Sequence, residues 1–139
     1  MASRFHILIV EDEQLIVEVL NGTLEFEYHV SSAATVRDAL AFLRTSRVDV
    51  VLLDSILPDG CGVEVARAAE AVGAAVIEMS GYPEVMEGLQ RSGRPHLCKP
   101  FGQDLLLATI ASVVRNIGED DAAAMRDLPA AAVSGSDSW

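Results

Sequence analysis

The sequence lacks the features that would point to a membrane or secreted protein. Every apolar run is shorter than the roughly 20 residues that a membrane-spanning helix needs. The N-terminal stretch "MASRFHILIVEDE" is no signal peptide, because its apolar run is short and leads directly into three acidic residues. We therefore expect a cytoplasmic protein without a membrane partner.

Cysteine is scarce as well. The chain has two, Cys61 and Cys98, and their spacing forms neither a CxxC pair nor a disulfide framework. Sequences of this kind are typical of reducing compartments, which agrees with the cytoplasm.

Positive charge is the third shortage. Ten lysine and arginine residues stand against 21 aspartate and glutamate residues, and the net charge is −11 at pH 7. Binding to nucleic acid phosphates needs clustered lysine and arginine, so we expect no direct nucleic acid partner. No GxGxxG motif follows the first apolar run, which excludes a dinucleotide-binding fold. A divalent cation or a basic protein surface remains open as a partner.

The apolar residues that are present suit one domain with a buried sheet. The chain has 139 residues, and half of them are hydrophobic. Short runs with the composition of buried parallel strands occur at residues 5–10, 48–53 and 74–80, and weaker strands fit 28–32 and 95–98. Helical patterns alternate with these runs. The alternation predicts an α/β, doubly wound fold with a five-stranded parallel sheet and five helices.

Three of the helical patterns have an apolar stripe that we expect to face the core. The stripes are Leu15, Ile16, Val19, Leu20 and Leu24; Val36, Ala39, Leu40 and Leu43; and, in a helix over about 103–117, Leu106, Ile110, Val113 and Ile117. After Gly118 the composition changes to alanine, aspartate and serine. We expect a domain at residues 1–118 and a tail at 119–139, whose first part could form a short helix.

Chemically active side chains follow the predicted strands. The first strand ends in Glu11 and Asp12, the third in Asp54, the fourth in Ser80 and the fifth in Lys99. In an open parallel sheet, ligands bind at the carboxyl ends of the strands, so we expect these side chains to converge. Each signal is weak alone, since an acidic pair after a strand also suits the N-terminus of a helix. Their occurrence in order at four strand ends is the stronger signal.

A single site would use all of these groups. Clustered carboxylates repel one another, and a hard cation such as Mg²⁺ removes that repulsion while keeping positions for water and a phosphate oxygen. Lys99 and Ser80 then suit the remaining oxygens of a phosphoryl group. Asp54 becomes the nucleophile that forms an aspartyl phosphate.

Four segments, "ILIVEDE", "DVVLLDSILPDG", "MSGY" and "LCKPF", together resemble the receiver domain of two-component response regulators. The resemblance covers about residues 5–117. It implies the flavodoxin-like fold with strand order 2-1-3-4-5. It also implies that Asp54 accepts a phosphoryl group from a phosphohistidine on a sensor histidine kinase or a histidine phosphotransfer protein.

The same resemblance assigns roles to the other residues. Mg²⁺ would be bound by four groups: the carboxylates of Glu11, Asp12 and Asp54 and the backbone carbonyl of Ile56. Lys99 would contact the phosphoryl group, and its peptide bond to Pro100 would be cis. Ser80 would turn towards the phosphoryl group on activation.

One residue and one spacing depart from the family pattern near the end of the predicted sheet. His96 replaces the Tyr or Phe that usually lies three residues before the lysine. It could rotate inward as a switch, or remain a surface imidazole. Ser80 and Lys99 are separated by fewer residues than usual, so we expect only a short helix at about 84–91.

Water access to the phosphoryl group is a further departure. In this family, the residues two beyond the phosphoacceptor and two beyond the hydroxyl residue flank the approach of the attacking water. Here they are Ile56 and Tyr82. Neither offers a carboxylate or an amide to orient the water, and Tyr82 is bulky enough to obstruct it. We therefore predict slow hydrolysis of the aspartyl phosphate unless Tyr82 points to solvent.

No helix-turn-helix, basic patch or catalytic module is evident in the sequence. We therefore expect a single-domain receiver that signals to an unknown target through protein contacts, and no enzyme beyond its own phosphorylation and dephosphorylation. A homodimer remains open. Leu107, Ala111 and Val114 are a candidate partner surface, unless they only widen the buried face of their helix.

Two alternatives come from other functional classes. A phosphatase could use Asp54 as a transient nucleophile, but apolar Ile56 lies where haloacid-dehalogenase-like phosphatases place an acid, and no cap domain is evident. A phosphate-independent, receiver-like binding module would need only a vestigial site, which the intact set of five polar residues disfavours.

Overall fold

Five segments of the chain form one parallel sheet. This computed structural model describes residues 4–81 and 93–126, with side chains described through residue 118. The strands are β1 (His6–Val10), β2 (His29–Ala33), β3 (Val50–Asp54), β4 (Ala75–Ser80) and β5 (His96–Cys98). Their order across the sheet is β2-β1-β3-β4-β5, and every neighbouring pair is parallel. The predicted flavodoxin-like order 2-1-3-4-5 is confirmed.

Helices cover both faces of the sheet. They are α1 (Gln14–Leu24), α2 (Val36–Thr45), α3 (Val63–Ala71) and the C-terminal helix (Gln103–Arg126). Side chains of α2 and α3 pack on one face, and those of α1 and the C-terminal helix pack on the other. The remaining predicted helix, at about 84–91, lies outside the described residues. Of the helices within the described ranges, none has the length and apolar character needed to cross a bilayer.

The central strands are apolar throughout because both of their faces are covered. Residues 7–10 of β1 and 50–53 of β3 are fully buried. Alternate residues of a strand point to opposite faces. Leu8 and Leu53 therefore pack under α2 and α3, whereas Ile9 and Leu52 pack under α1 and the C-terminal helix.

The face of α1 that packs on the sheet differs from the predicted stripe. Val17, Leu20 and Leu24 are buried, whereas Leu15 and Val19 are 76% and 64% exposed. Leu15 and Val19 lie about 160–200° around the helix from Val17, and so project from the opposite side. The prediction was wrong for these two residues because apolar side chains surround most of α1, so the pattern alone did not identify its inward side.

The stripes predicted for α2 and the C-terminal helix are confirmed. Each predicted member is buried or packs against the buried cluster: Val36, Ala39, Leu40 and Leu43 in α2, and Leu106, Ile110, Val113 and Ile117 in the C-terminal helix. In these two helices the main apolar stripe at helical spacing coincides with the buried side, although Leu105 of the C-terminal helix is apolar and 53% exposed.

The C-terminal helix continues to Arg126, well past the end predicted at about Ile117. Gly118 does not end it, because a glycine inside a helix costs only about 1 kcal/mol relative to alanine. The following "EDDAAAMR" contains alanine, glutamate, methionine and arginine, which favour helix. The helix therefore crosses residues 118 and 119, where we predicted that the domain gives way to a tail.

The loop after β3 is fastened to the start of α2. Residues 56–57 pair with residues 60–61 as a short antiparallel hairpin, closed by the turn that the Pro-Asp-Gly sequence predicts. The Asp59 carboxylate accepts hydrogen bonds from the backbone N–H groups of Val36, at 2.8 Å, and Arg37, at 3.0 Å. These contacts hold in place the loop that follows Asp54.

Candidate functional site

The strand pairing brings the predicted site residues to one edge of the sheet. Val10 lies opposite Leu53 across the β1–β3 pair, and Asp54 lies opposite Met79 across the β3–β4 pair. Ser80 lies opposite Cys98 at the end of the β4–β5 pair. The carboxyl ends of these strands are therefore level. Glu11, Asp54, Ser80 and Lys99 follow or end them at the same edge.

Three carboxylates meet at this edge. One oxygen each from Glu11, Asp12 and Asp54 can be chosen so that all three lie within 4.8 Å of one another. Glu11 is buried, Asp12 is exposed and Asp54 is partly buried, so the cluster opens to solvent on the Asp12 side. Oxygen ligands at this spacing suit a hard divalent cation.

Lys99 supplies positive charge to this cluster. Its Nζ lies 3.2 Å from both carboxylate oxygens of Glu11 and 3.7 Å from Oδ1 of Asp54. Lys99 is the only lysine of the chain. Three carboxylates and one ammonium leave two negative charges when all are ionised, which is the charge that one Mg²⁺ ion neutralises. The Lys99–Pro100 bond is cis, as the resemblance implied.

The carboxyl group of Glu11 has a pKa above its ordinary value. Burial raises the pKa of its carboxyl to about 7, and a hydrogen bond with Asp54 and the negative charge of Asp54 act in the same direction. The charge of Lys99 and its hydrogen bond oppose this rise. A cation bound between the carboxylates would favour the ionised form of Glu11.

Asp54 is held at the end of β3 but remains accessible. Its side chain is 14% exposed. The backbone N–H of Ile56 lies 3.4 Å from Oδ1. Gly62 lies beneath the same turn, where a Cβ atom would come within 3.0 Å of the Leu53 side chain and 3.1 Å of the Asp54 carbonyl oxygen. A side chain at position 62 would therefore push on the backbone of the proposed phosphoacceptor.

The remaining predicted site residues are placed as follows. Ser80 is buried at the end of β4, and its carbonyl oxygen accepts a hydrogen bond from the backbone N–H of Lys99 at 2.8 Å. The side chain of Ile56 is half-exposed in the hairpin. His96 is partly buried, with Nδ1 3.1 Å from the carbonyl oxygen of Arg94. Tyr82 lies outside the described residues. The roles assigned to these residues stay predictions.

The candidate partner surface on the C-terminal helix is only partly free. Leu107 and Val114 pack against the buried cluster, and Ala111 is exposed. This packing favours the alternative, in which these residues widen the buried face.

A charged cluster beside the site was not predicted. Glu78 is buried within β4 and lies 3.8 Å from Arg94, which also pairs with Glu70 of α3. The signal was one acidic residue inside the apolar run "AAVIEMS". Its partners could not be identified because Glu70 and Arg94 are distant in sequence and the fold brings them together.

The comparisons with known proteins agree with this geometry. Residues 7–111, more than half of the chain, match the family model of the response regulator receiver domain. Among solved structures, a CheY-like response regulator receiver domain protein from Methanospirillum hungatei superposes with a TM-score of 0.78. It is 28% identical and the match covers 85% of this chain and 99% of that one.

Curated relatives show the same similarity. "Response regulator MprA" of Mycolicibacterium vanbaalenii is 32% identical over 123 residues, which cover 84% of this chain and 53% of the relative. "Probable transcriptional regulatory protein TcrX" of Mycobacterium tuberculosis is 29% identical over 81% of this chain and 50% of the relative. The chain thus spans about half the length of these relatives.

Proposed function

The chain belongs to the response regulator receiver domains, and from that membership we propose that Asp54 accepts a phosphoryl group from a phosphohistidine. The donor would be a sensor histidine kinase or a histidine phosphotransfer protein. The observation that carries the proposal is the meeting of three carboxylates with the single lysine at the end of β3.

The proposed transfer forms one bond and breaks another. An oxygen of the Asp54 carboxylate attacks phosphorus, and the P–N bond to the donor imidazole breaks. The imidazole leaves with the electron pair of that bond and is neutral when its other ring nitrogen carries a proton. The product is an acyl phosphate on Asp54.

The other residues of the site would stabilise the negative charge of the phosphoryl group during this step. Glu11, Asp12 and Asp54 would hold Mg²⁺, with the Ile56 carbonyl as a proposed further ligand, and the ion would neutralise charge on the phosphoryl oxygens. Lys99 would pair with another phosphoryl oxygen, since its ammonium already lies 3.7 Å from Asp54. In the phosphorylated form, the Ser80 hydroxyl would donate a hydrogen bond to a phosphoryl oxygen.

The donor must bring its phosphohistidine to the exposed side of Asp54. An open apolar groove of about 540 Å³ starts at Lys99 and runs between α1 and the segment at Pro100 and Phe101. Leu15 and Val19, which are exposed apolar side chains of α1, line it. We therefore place the docking surface of the donor protein on this groove, beside the phosphoacceptor.

The proposal concerns signalling and not the turnover of a substrate. The chain would catalyse only its own phosphorylation and dephosphorylation, in the cytoplasm, and would act on its target through protein contacts. Ile56 supports this view, because a half-exposed apolar side chain two residues after Asp54 offers no acid for turnover of a phosphate ester.

Incubation with acetyl phosphate and Mg²⁺, followed by intact mass measurement, tests the proposal. The wild type should gain one phosphoryl group that is lost in base, and should gain none in EDTA. Asp54→Asn should gain none while remaining folded, because the amide preserves shape but is a poor nucleophile. An unmodified wild type would favour a phosphate-independent binding module. Sustained release of phosphate from a phosphate ester would favour a phosphatase.

A further inference from the structure

A buried acid lies in the strand that ends at Ser80. Glu78 is 6% exposed, and its Oε2 has no hydrogen-bond partner among the described atoms. It points to the face of the sheet on which α3 packs, since Val76, two residues earlier, lies in the cluster under α3. Burial raises the pKa of the Glu78 carboxyl, and the positive charge of Arg94 opposes the rise.

Arg94 connects this acid to α3. Its Nε and Nη2 donate to the two carboxylate oxygens of Glu70 at 3.2 and 2.8 Å, and its Nη1 lies 3.8 Å from Oε2 of Glu78. A bidentate arginine–carboxylate pair fixes direction as well as distance. Arg94 therefore links α3 and β4 at the point where the chain enters β5.

Strand β5 is short and lies at the edge of the sheet formed by the described residues. It has three residues and pairs with β4, and the backbone N–H of Lys99 continues this pairing to the Ser80 carbonyl oxygen at 2.8 Å. One face packs through Leu97, which is buried with the C-terminal helix. The opposite face carries His96, which is partly buried, and Cys98, which is exposed. On that face, no apolar side chain of β5 holds the strand against α3.

Ionic contacts lie at both ends of β5. Arg94 precedes the strand and contacts Glu70 and Glu78. Lys99 follows it and contacts Glu11 and Asp54. A shift of this short edge strand moves Lys99 relative to the carboxylates, because Lys99 directly follows the last residue of β5.

We propose that Arg94 is a positioning residue for phosphoryl acceptance: by binding Glu70 and Glu78, it fixes β5 and so holds Lys99 against the phosphoacceptor. The inference rests on the proposed function of Asp54. Arg94 does not touch the reacting atoms. It acts through the four residues between it and Lys99.

Two variants and one control test this role in the full-length chain. Glu78→Met/Arg94→Met replaces both charges with apolar side chains of similar length, so that no buried charge is left unpaired and the fold is kept. Glu70→Gln weakens only the link to α3, because the amide has no negative charge and one acceptor oxygen in place of two. Arg67→Met is the control, because Arg67 is an exposed residue of α3 outside the cluster.

Two measurements are made on each protein. The first is the rate of phosphorylation by acetyl phosphate with Mg²⁺. The second is the NMR signal of the Lys99 Cε–Hε group after labelling with ¹³C-lysine, which is a single signal because the chain has one lysine. Its position in urea-unfolded protein provides the reference for a solvated ammonium.

We expect Glu78→Met/Arg94→Met to react about tenfold more slowly, within the roughly hundredfold loss that a misplacement of about 1 Å can cause. Its Lys99 signal should move towards the unfolded reference. Glu70→Gln should change both quantities in the same direction and by less, and Arg67→Met should match the wild type.

An unchanged Lys99 signal in the double variant would overturn the inference, even if phosphorylation were slower, because the cluster would then act by another route. A shifted signal with a wild-type rate would also overturn it. A wild type that is never phosphorylated would instead refute the proposed function, whereas the Lys99 signal would still show whether Arg94 positions the lysine.

Discussion

At the scale of single residues, Lys99 does not fully neutralise the nucleophile. Its ammonium lies closer to Glu11, at 3.2 Å, than to Asp54, at 3.7 Å. The Asp54 carboxylate is therefore paired less closely with the ammonium than Glu11 is, and its side chain is still 14% exposed. Glu11 and Asp12 also differ in their surroundings. Glu11 is buried and contacts Lys99, whereas Asp12 is exposed and open to a cation from solvent.

Mg²⁺ should stabilise the unphosphorylated protein because it relieves repulsion among the three carboxylates. At a hundred times its Kd, a ligand of the folded state raises the free energy of unfolding by about 2.7 kcal/mol. Asp12→Ala should lose most of the Mg²⁺-dependent rise in melting temperature. Asp38→Ala, an exposed aspartate in α2, serves as control and should keep it. Equal Mg²⁺ effects in wild type and Asp12→Ala would refute the metal role of Asp12.

Glu11 should make the stability of the metal-free protein depend on pH. Its pKa is about 7 in the folded protein and 4.5 as an unperturbed group. A raised pKa means that the folded state binds the proton more tightly, so this contribution is full below pH 4.5 and is lost as the pH rises through 7. In EDTA, the wild type should lose more stability than Glu11→Gln between pH 6 and pH 8. Parallel curves from urea titration would contradict this.

Among the helices and strands, the residues that face the core could be predicted where the arrangement of apolar residues in the sequence indicated one buried direction. The buried strands were recognisable because both faces of a central parallel strand are covered, which leaves a continuous apolar run. The inward side of α1 could not be predicted in this way, because Leu15 and Val19 are apolar but exposed. From sequence alone, an exposed apolar residue cannot be distinguished from one that packs in the core.

Two leucines of α1 test the corrected orientation with the same substitution. Leu20→Ala should lower the free energy of unfolding by about 2–5 kcal/mol, because Leu20 is 4% exposed and its removal leaves a cavity. Leu15→Ala should change it by less than about 0.5 kcal/mol, because Leu15 is 76% exposed. Chemical denaturation measures both. A larger loss for Leu15→Ala would show that the predicted stripe was right after all.

The loop after Asp54 should protect the first amides of α2. The N–H groups of Val36 and Arg37 bond to Asp59 and hold the pKa of its carboxyl below the ordinary value. Asp59→Ala should therefore speed hydrogen exchange at these two amides. Thr35→Ala, which removes the bond to the Asp38 amide, should speed exchange only there. Unchanged exchange at Val36 in Asp59→Ala would show that the loop does not cap the helix.

At the scale of the whole molecule, the fold and most of the site follow from the order of the strands. The ends of parallel strands meet at one edge, so Glu11, Asp54 and Lys99 could be placed together from sequence alone. The link from Arg94 to Glu70 and Glu78 could not, because it depends on how α3, β4 and β5 pack. The extension of the last helix through Gly118 could not be read from the change in composition, because alanine, glutamate, methionine and arginine favour helix despite the glycine and aspartates.

The site should direct a phosphoryl group to one carboxylate, that of Asp54. Peptide mapping by mass spectrometry tests this after treatment with acetyl phosphate and Mg²⁺ and reduction with borohydride, since reduction converts an aspartyl phosphate into homoserine. We predict homoserine at position 54 only, dependent on Mg²⁺ and absent from Asp54→Asn. Homoserine at another aspartate, or phosphorylation that persists in Asp54→Asn, would contradict the claim.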